Sequence, residues 1–283
     1  MRVRYAVLLL MALAAMPIAV RAAPLAVFHA DSLAGPMRAV KGAFEARHPG
    51  TTITLVSGVS RDLAARILKG ETCDVFTSSS PTIIGEDLIG KKVAGTQTDA
   101  AAWYVVFSAN EMVIITAKGN PLGITRVSDL AKPDVKFVRV TGEKDLATNR
   151  SIEFVMRAAA TEGKPELAQA IIDRAPVDPA TPVTVPDVVA AVREGRANAG
   201  VVYYSAAVAA RNDVEAIRFP ASVNMSEAIR NAATVPGTAK NPQEAVAFVA
   251  FLLSPEGQGI LQETGQPPVV PAIGHGLVPP EVR

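Results

Sequence analysis

The sequence predicts an α/β fold that can be built as two lobes, and two observations carry that expectation. Short apolar or β-branched runs alternate with segments whose apolar residues recur at helical spacing, as in βα units on a largely parallel sheet. No linker rich in Gly, Ser or Pro divides the chain. That fits two lobes joined by ordinary strands that cross more than once, as hinge proteins are built. The 283 residues are 49% hydrophobic and 19% charged, an ordinary globular composition with length for two cores.

Residues 1–22 read as a secretory signal rather than as part of the fold. Arg2 and Arg4 give a basic start, Tyr5 to Val20 carries no charge, and Ala22 and Ala23 offer small residues for cleavage. The apolar run is short for a membrane span, which takes roughly 20 residues. Export to the periplasm is therefore expected, with a mature chain from about Ala23 and no cysteine near the cleavage site to carry a lipid. Losing Arg2, Arg4 and Arg21 takes the formal charge from +1 to −2. Without a Lys/Arg cluster, nucleic-acid binding is not expected.

The elements follow in order. Leu25–Phe28 is a strand, Gly35–Arg47 a helix with Met37, Val40 and Phe44 on one face, and Thr51–Val56 a β-branched strand. Ser60–Lys69 is a helix and Val75–Thr77 a strand. Cys73, the only cysteine, falls just before that strand and reads as a packed, inert thiol. Met112–Ala117 and Val135–Val140 are strands. A helix begins at Thr148 or Asn149 and runs to Ala160. Helices over Glu166–Arg174 and Val185–Glu194 lead to a strand at Ala199–Tyr203, and helices over Pro242–Leu253 and Pro255–Glu263 close the chain.

Ligands of open α/β sheets bind beyond the carboxyl ends of strands, where helix N-termini present free N–H groups and partial positive charge. Such sites hold anions without Lys or Arg. Four junctions carry suitable groups. Ser32 follows the first strand in His29-Ala30-Asp31-Ser32, and Ser60 follows the second in Ser57-Gly58-Val59-Ser60. Each is also an ordinary helix cap by residue type. Asp145 to Arg150 precedes a helix that Thr148 or Asn149 would cap, with Arg150 read as a solvated side chain. Tyr203-Tyr204-Ser205 ends a strand, where a buried hydroxyl needs a partner. The three histidines, His29, His48 and His275, form no catalytic pattern, and His48 reads as solvated in a turn before Pro49. No phosphate-cradling glycine motif or paired-cysteine metal site is present, so an enzyme is not expected.

At these junctions the sequence resembles the periplasmic molybdate/tungstate-binding proteins of ABC importers, more closely their archaeal-type branch. VFHADSLAGPM is similar to that family's HAGSL opening, SGVSRDLAARI to its second serine junction and CDVFTSSS to its following strand. WYVVFSANEMVIITAKGNP resembles the first crossover between lobes and VREGRANAGVVYYSAAV the return strand with its tyrosine. The resemblance implies a type II periplasmic-binding fold with the ligand cleft between lobe 1, at 23–108 and 216–283, and lobe 2, at 109–215. It implies Ser32, Ser60, Tyr203 and a backbone N–H at Ala147 as oxyanion donors, with no cofactor and no metal beyond the ligand's own. The implied partners are a small oxyanion and a membrane permease, the protein itself being a monomer. The archaeal-type members complete an octahedral centre with an Asp and a Glu. Asp145 matches the Asp, but Ser222 stands at the Glu position. A tetrahedral oxyanion held by neutral donors is then the expected ligand, with sulfate, phosphate or a small organic anion, or a sensing rather than transport role, as alternatives.

Overall fold

The computed structural model describes residues 24–283, so the expected signal over residues 1–22 lies outside the described residues. The chain opens as three βα units: β1 (Pro24–Ala30), α1 (Ala34–Arg47), β2 (Thr52–Gly58), α2 (Ser60–Leu68), β3 (Val75–Ser78) and α3 (Pro81–Asp87). It then runs through β4 (Trp103–Ala109) directly into β5 (Met112–Ala117). There follow β6 (Phe137–Arg139), α4 (Leu146–Thr161), α5 (Glu166–Ile172), α6 (Val185–Arg193), β7 (Ala199–Tyr203), α7 (Tyr204–Ala209) and β8 (Val214–Ile217). The chain returns through α8 (Ala221–Asn224) to β9 (Arg230–Thr234) and ends with α9 (Pro242–Leu253), α10 (Pro255–Glu263) and β10 (Pro268–Gly276).

Two sheets result. The first has the order β10-β4-β9-β3-β1-β2 and the second β6-β7-β5-β8. The chain passes from the first to the second between Ala109 and Met112 and returns between Ile217 and Arg230. Because β8 pairs with β5 through Ile217, the second lobe runs past the boundary expected at residue 215. The sheets are also less parallel than the βα alternation implied. Among the described strands β1–β2, β1–β3 and β6–β7 pair in parallel, and the other five pairings are antiparallel. The reason is topological. A strand that leaves for the other lobe and one that returns enter their sheets in opposite senses.

Each sheet carries its own core. In the first lobe Val27, Met37, Val40, Phe44, Phe107 and Phe248 pack on one face and Phe28, Ile67 and Phe76 on the other. In the second, Ile114, Phe154, Val188 and Val201 are fully buried. Gly200 lets α6 close on β7, since a Cβ there would lie 2.6 Å from a Val188 methyl. Cys73 is buried, its Sγ donating to the Val75 carbonyl at 3.2 Å, and burial pushes the thiol up, away from reactivity. Asp74 beside it is buried and binds three backbone N–H groups: Ala26 at 2.8 Å, Lys240 at 2.8 Å and Asn241 at 2.9 Å. One carboxylate thereby ties β1, β3 and the start of α9 together.

Three expectations need correction here. The strand expected over Val135–Val140 is confined to Phe137–Arg139. The helix expected from Thr148 or Asn149 starts at Leu146, because Asp145 is the N-cap and its carboxylate takes the Ala147 N–H at 2.9 Å. Thr148 instead donates its hydroxyl to the Gly142 carbonyl at 2.7 Å and closes the loop before the helix. His48 is not simply solvated: its Nδ1 meets Glu244 Oε1 at 3.0 Å and its ring stacks on Phe44.

Candidate functional site

Between the lobes lies a small cavity lined by Ala30, Asp31, Ser32, Gly58, Val59, Ser60, Ser79, Asp145, Val185 and Tyr203. Its volume is about 10 Å3, room for roughly one water. Broader clefts flank it on both sides. One shares Val59 and Asp145 with it, and the other shares Asp31, Ser32 and Val185.

What these lining residues have in common is position. Asp31 and Ser32 form a 3-10 turn after β1, Val59 and Ser60 begin α2, and Ser79 precedes the Ser80 cap of α3. Asp145 caps α4, Val185 begins α6 and Tyr203 stands before α7. Helix starts from both lobes thus converge on one point and sum their partial positive charge there.

The side chains add donors. Ser60 Oγ accepts from the Ser79 N–H at 3.2 Å and lies 3.3 Å from Ser79 Oγ. Ser32 is buried, and its carbonyl accepts from Ser205 Oγ at 2.7 Å. Ser205 in turn accepts from Asn110 Nδ2 at 2.9 Å, which links the 3-10 turn to the crossover at Asn110–Glu111. Tyr203 is buried and its hydroxyl accepts from Arg150 Nη1 at 2.8 Å. Burial pushes the Tyr203 phenol up, so it keeps its proton. Burial likewise raises the Asp145 carboxyl, with Asp31 and Asp62 adding to the effect against the Ala147 N–H and Arg150.

The structure brings Ser32, Ser60, Asp145 and Tyr203 to one cavity. Ala147 does not line it, and the N–H expected to meet a ligand is engaged by Asp145. Ser222 is exposed on α8, away from the cavity lining. Arg150, expected to be solvated, is half-buried and also donates to the Ser79 carbonyl at 3.0 Å. Ser79 and Asp31 were not singled out from the sequence, and Arg150 was read there only as a solvated side chain. The serine run Ser78–Ser80 was the signal for Ser79, and an Asp where the resembling opening has Gly was the signal for Asp31. Nothing local marked Arg150. The histidines stand apart: His29 bonds its neighbour's carbonyl, and burial holds its ring below the usual range. No group of three or more His, Cys, Asp or Glu able to hold a metal ion occurs among the described residues.

Residues 25–266 match the family model of the bacterial extracellular solute-binding proteins. The chain belongs to that family. Its members are solute-binding transport components rather than enzymes. The chain is 28% identical to the molybdate-binding protein ModA of Mycobacterium tuberculosis, over 84% of this chain and 82% of that protein. It is 27% identical to an uncharacterized solute-binding protein of Methanoculleus marisnigri, over 90% of this chain and 84% of the relative. Among solved structures, the periplasmic molybdate-binding protein of Azotobacter vinelandii superposes with a TM-score of 0.66 at 18% identity, covering 87% of this chain and 99% of that one. The sulfate-binding protein SubI of Mycobacterium tuberculosis superposes with a TM-score of 0.65 at 16% identity, covering 88% of each chain. These likenesses establish the two-lobed type II periplasmic-binding fold.

Proposed function

We propose that this protein captures a tetrahedral oxyanion, molybdate or tungstate, between its lobes and delivers it to the membrane permease of an ABC importer. The observation that carries the reading is the convergence of helix starts from both lobes on a cavity with Ser32, Ser60 and Tyr203 at its wall. A desolvated dianion is held there by short, charge-assisted bonds from hydroxyl and N–H groups. The named ligand of the Mycobacterium tuberculosis ModA relative supports molybdate within that class. A tetraoxo anion needs more than about 10 Å3, so uptake requires the lobes to part about the crossovers and close again on the ligand. Occupancy then becomes a change of shape that a permease can read.

One observation favours a second reading. Asp31 and Asp145 both line the cavity and can accept a proton from a ligand. Hydrogen phosphate carries such a proton, whereas molybdate does not at neutral pH. Ligand-induced thermal shifts of the mature protein against molybdate, tungstate, sulfate and phosphate separate the two, because a ligand of the folded state raises its melting temperature. Shifts from molybdate and tungstate alone are expected, and they should weaken in Ser32→Ala and Ser60→Ala. A response to phosphate alone favours the second reading. If both serine variants keep full affinity, the cleft is the wrong site.

A further inference from the structure

Arg150 departs from the scheme of neutral donors. It lies in the first turns of α4 in lobe 2, half-buried, and reaches across to lobe 1, where Nη1 donates to the Ser79 carbonyl at 3.0 Å. The same nitrogen donates to Tyr203 Oη at 2.8 Å, with the guanidinium carbon 5.7 Å from that ring's centroid. Among the described residues no carboxylate lies within 4.0 Å of Arg150, and its Nε and Nη2 have no protein acceptor. The cavity beside it carries two carboxylates, Asp31 and Asp145. A dianion entering there meets like charge that helix starts alone must offset.

Resting on the oxyanion reading, we propose that Arg150 is a specificity-determining residue: it supplies the cation for a doubly charged tetrahedral anion and commits the Tyr203 proton to that anion. The second role follows from hydroxyl chemistry. A phenol has one proton, and when its oxygen accepts from Arg150 that proton is free to be donated. Donation from a cation also polarises the phenol and makes it a stronger donor. The unpartnered edge of the guanidinium matches two oxygens of a tetraoxo anion, a geometry an ammonium lacks. Through Ser79 the same side chain joins the lobes, so anion binding and lobe contact share one group.

The test is calorimetric titration of molybdate and sulfate into the mature wild-type protein and Arg150→Met, Arg150→Lys, Arg150→Gln and Tyr203→Phe, each checked for an unchanged melting profile. Arg150→Met and Arg150→Gln should bind about 10- to 100-fold more weakly. Arg150→Lys should recover part of the loss, with a salt dependence that the neutral variants lack. Arg150→Met combined with Tyr203→Phe should lose less than the sum of the two single losses, because one acts through the other. Neutral variants that bind as tightly as wild type overturn the proposal while leaving the site intact. Folded Arg150→Lys that binds no better than Arg150→Met overturns the charge role. A wild-type protein that binds no tetraoxo anion overturns the site reading itself. Two uncharged variants are included so that misfolding of one leaves the comparison standing.

Discussion

Ser205→Ala should destabilise the protein out of proportion to the single oxygen it removes. Ser205 Oγ sits between the lobes, donating to the Ser32 carbonyl at 2.7 Å and accepting from Asn110 Nδ2 at 2.9 Å. All three residues are buried, so water cannot replace the hydroxyl without rearrangement. The Ser32 carbonyl keeps only a long contact from Gln266 Nε2 at 3.5 Å, and one Asn110 proton loses its acceptor. A buried polar group left unpaired costs about 1–3 kcal/mol, and because the Ser32 carbonyl keeps its Gln266 contact it falls at the low end, so the two together cost about 2–4 kcal/mol. In a chain of this size that corresponds to a fall of roughly 5–10 °C in melting temperature. Scanning calorimetry of the mature protein measures it. Thr161→Ala is the control, since Thr161 also donates to a backbone carbonyl, at 2.8 Å, but in an exposed position. That variant should stay within about 0.5 kcal/mol of wild type. Because Ser32 belongs to the cavity wall, Ser205→Ala should also weaken anion binding several-fold. A melting temperature for Ser205→Ala equal to that of the control would refute the view that this serine fastens the site to the crossover.

Three further outcomes are expected. The Asp145 carboxyl is raised above its ordinary value of 3.8, first by burial and then by Asp31. A carboxyl raised in the fold favours folding below its unfolded pKa, and that contribution is lost as pH rises through the folded value. Asp145→Asn keeps a capping oxygen for the Ala147 N–H, so at about pH 8 it should melt higher than wild type, the difference closing near pH 4; thermal melts across pH check this, and a constant difference would contradict it. Asp74→Ala strips an acceptor from the Ala26, Lys240 and Asn241 N–H groups and should cost about 3–5 kcal/mol in denaturant unfolding, more than Ser205→Ala. Arg139 is fully buried; Nη1 donates to the Val140 carbonyl at 2.9 Å, but among the described residues Nε and Nη2 have no partner, and burial disfavours the charge. Arg139→Met should leave the melting temperature unchanged or raise it, whereas a marked fall would show that the Nη1 bond to Val140 outweighs the cost of burying the charge.

What the sequence determined by itself was local. The periodicity of Met37, Val40 and Phe44, the β-branched run before Ser57 and the apolar run at Met112 each define an element from within a few residues. A serine that follows a strand and opens a helix is placed by that junction, so Ser32 and Ser60 could be selected without knowing what faces them. Tyr203 was legible in the same way, as a polar group ending a buried strand. The start of α4 was misread because Asp145 and Thr148 are both capping residue types, and which one caps depends on the loop geometry before them. The remainder of the site was decided by tertiary structure. Arg150 is an exposed residue type on its own helix, and only the approach of segments 71 and 53 residues away gives it Ser79 and Tyr203. Ser205 finds the Ser32 carbonyl 173 residues back along the chain. Periodicity and capping act over a few residues, but a cleft between lobes is made of contacts between distant segments, and its charges take their partners only when the lobes meet.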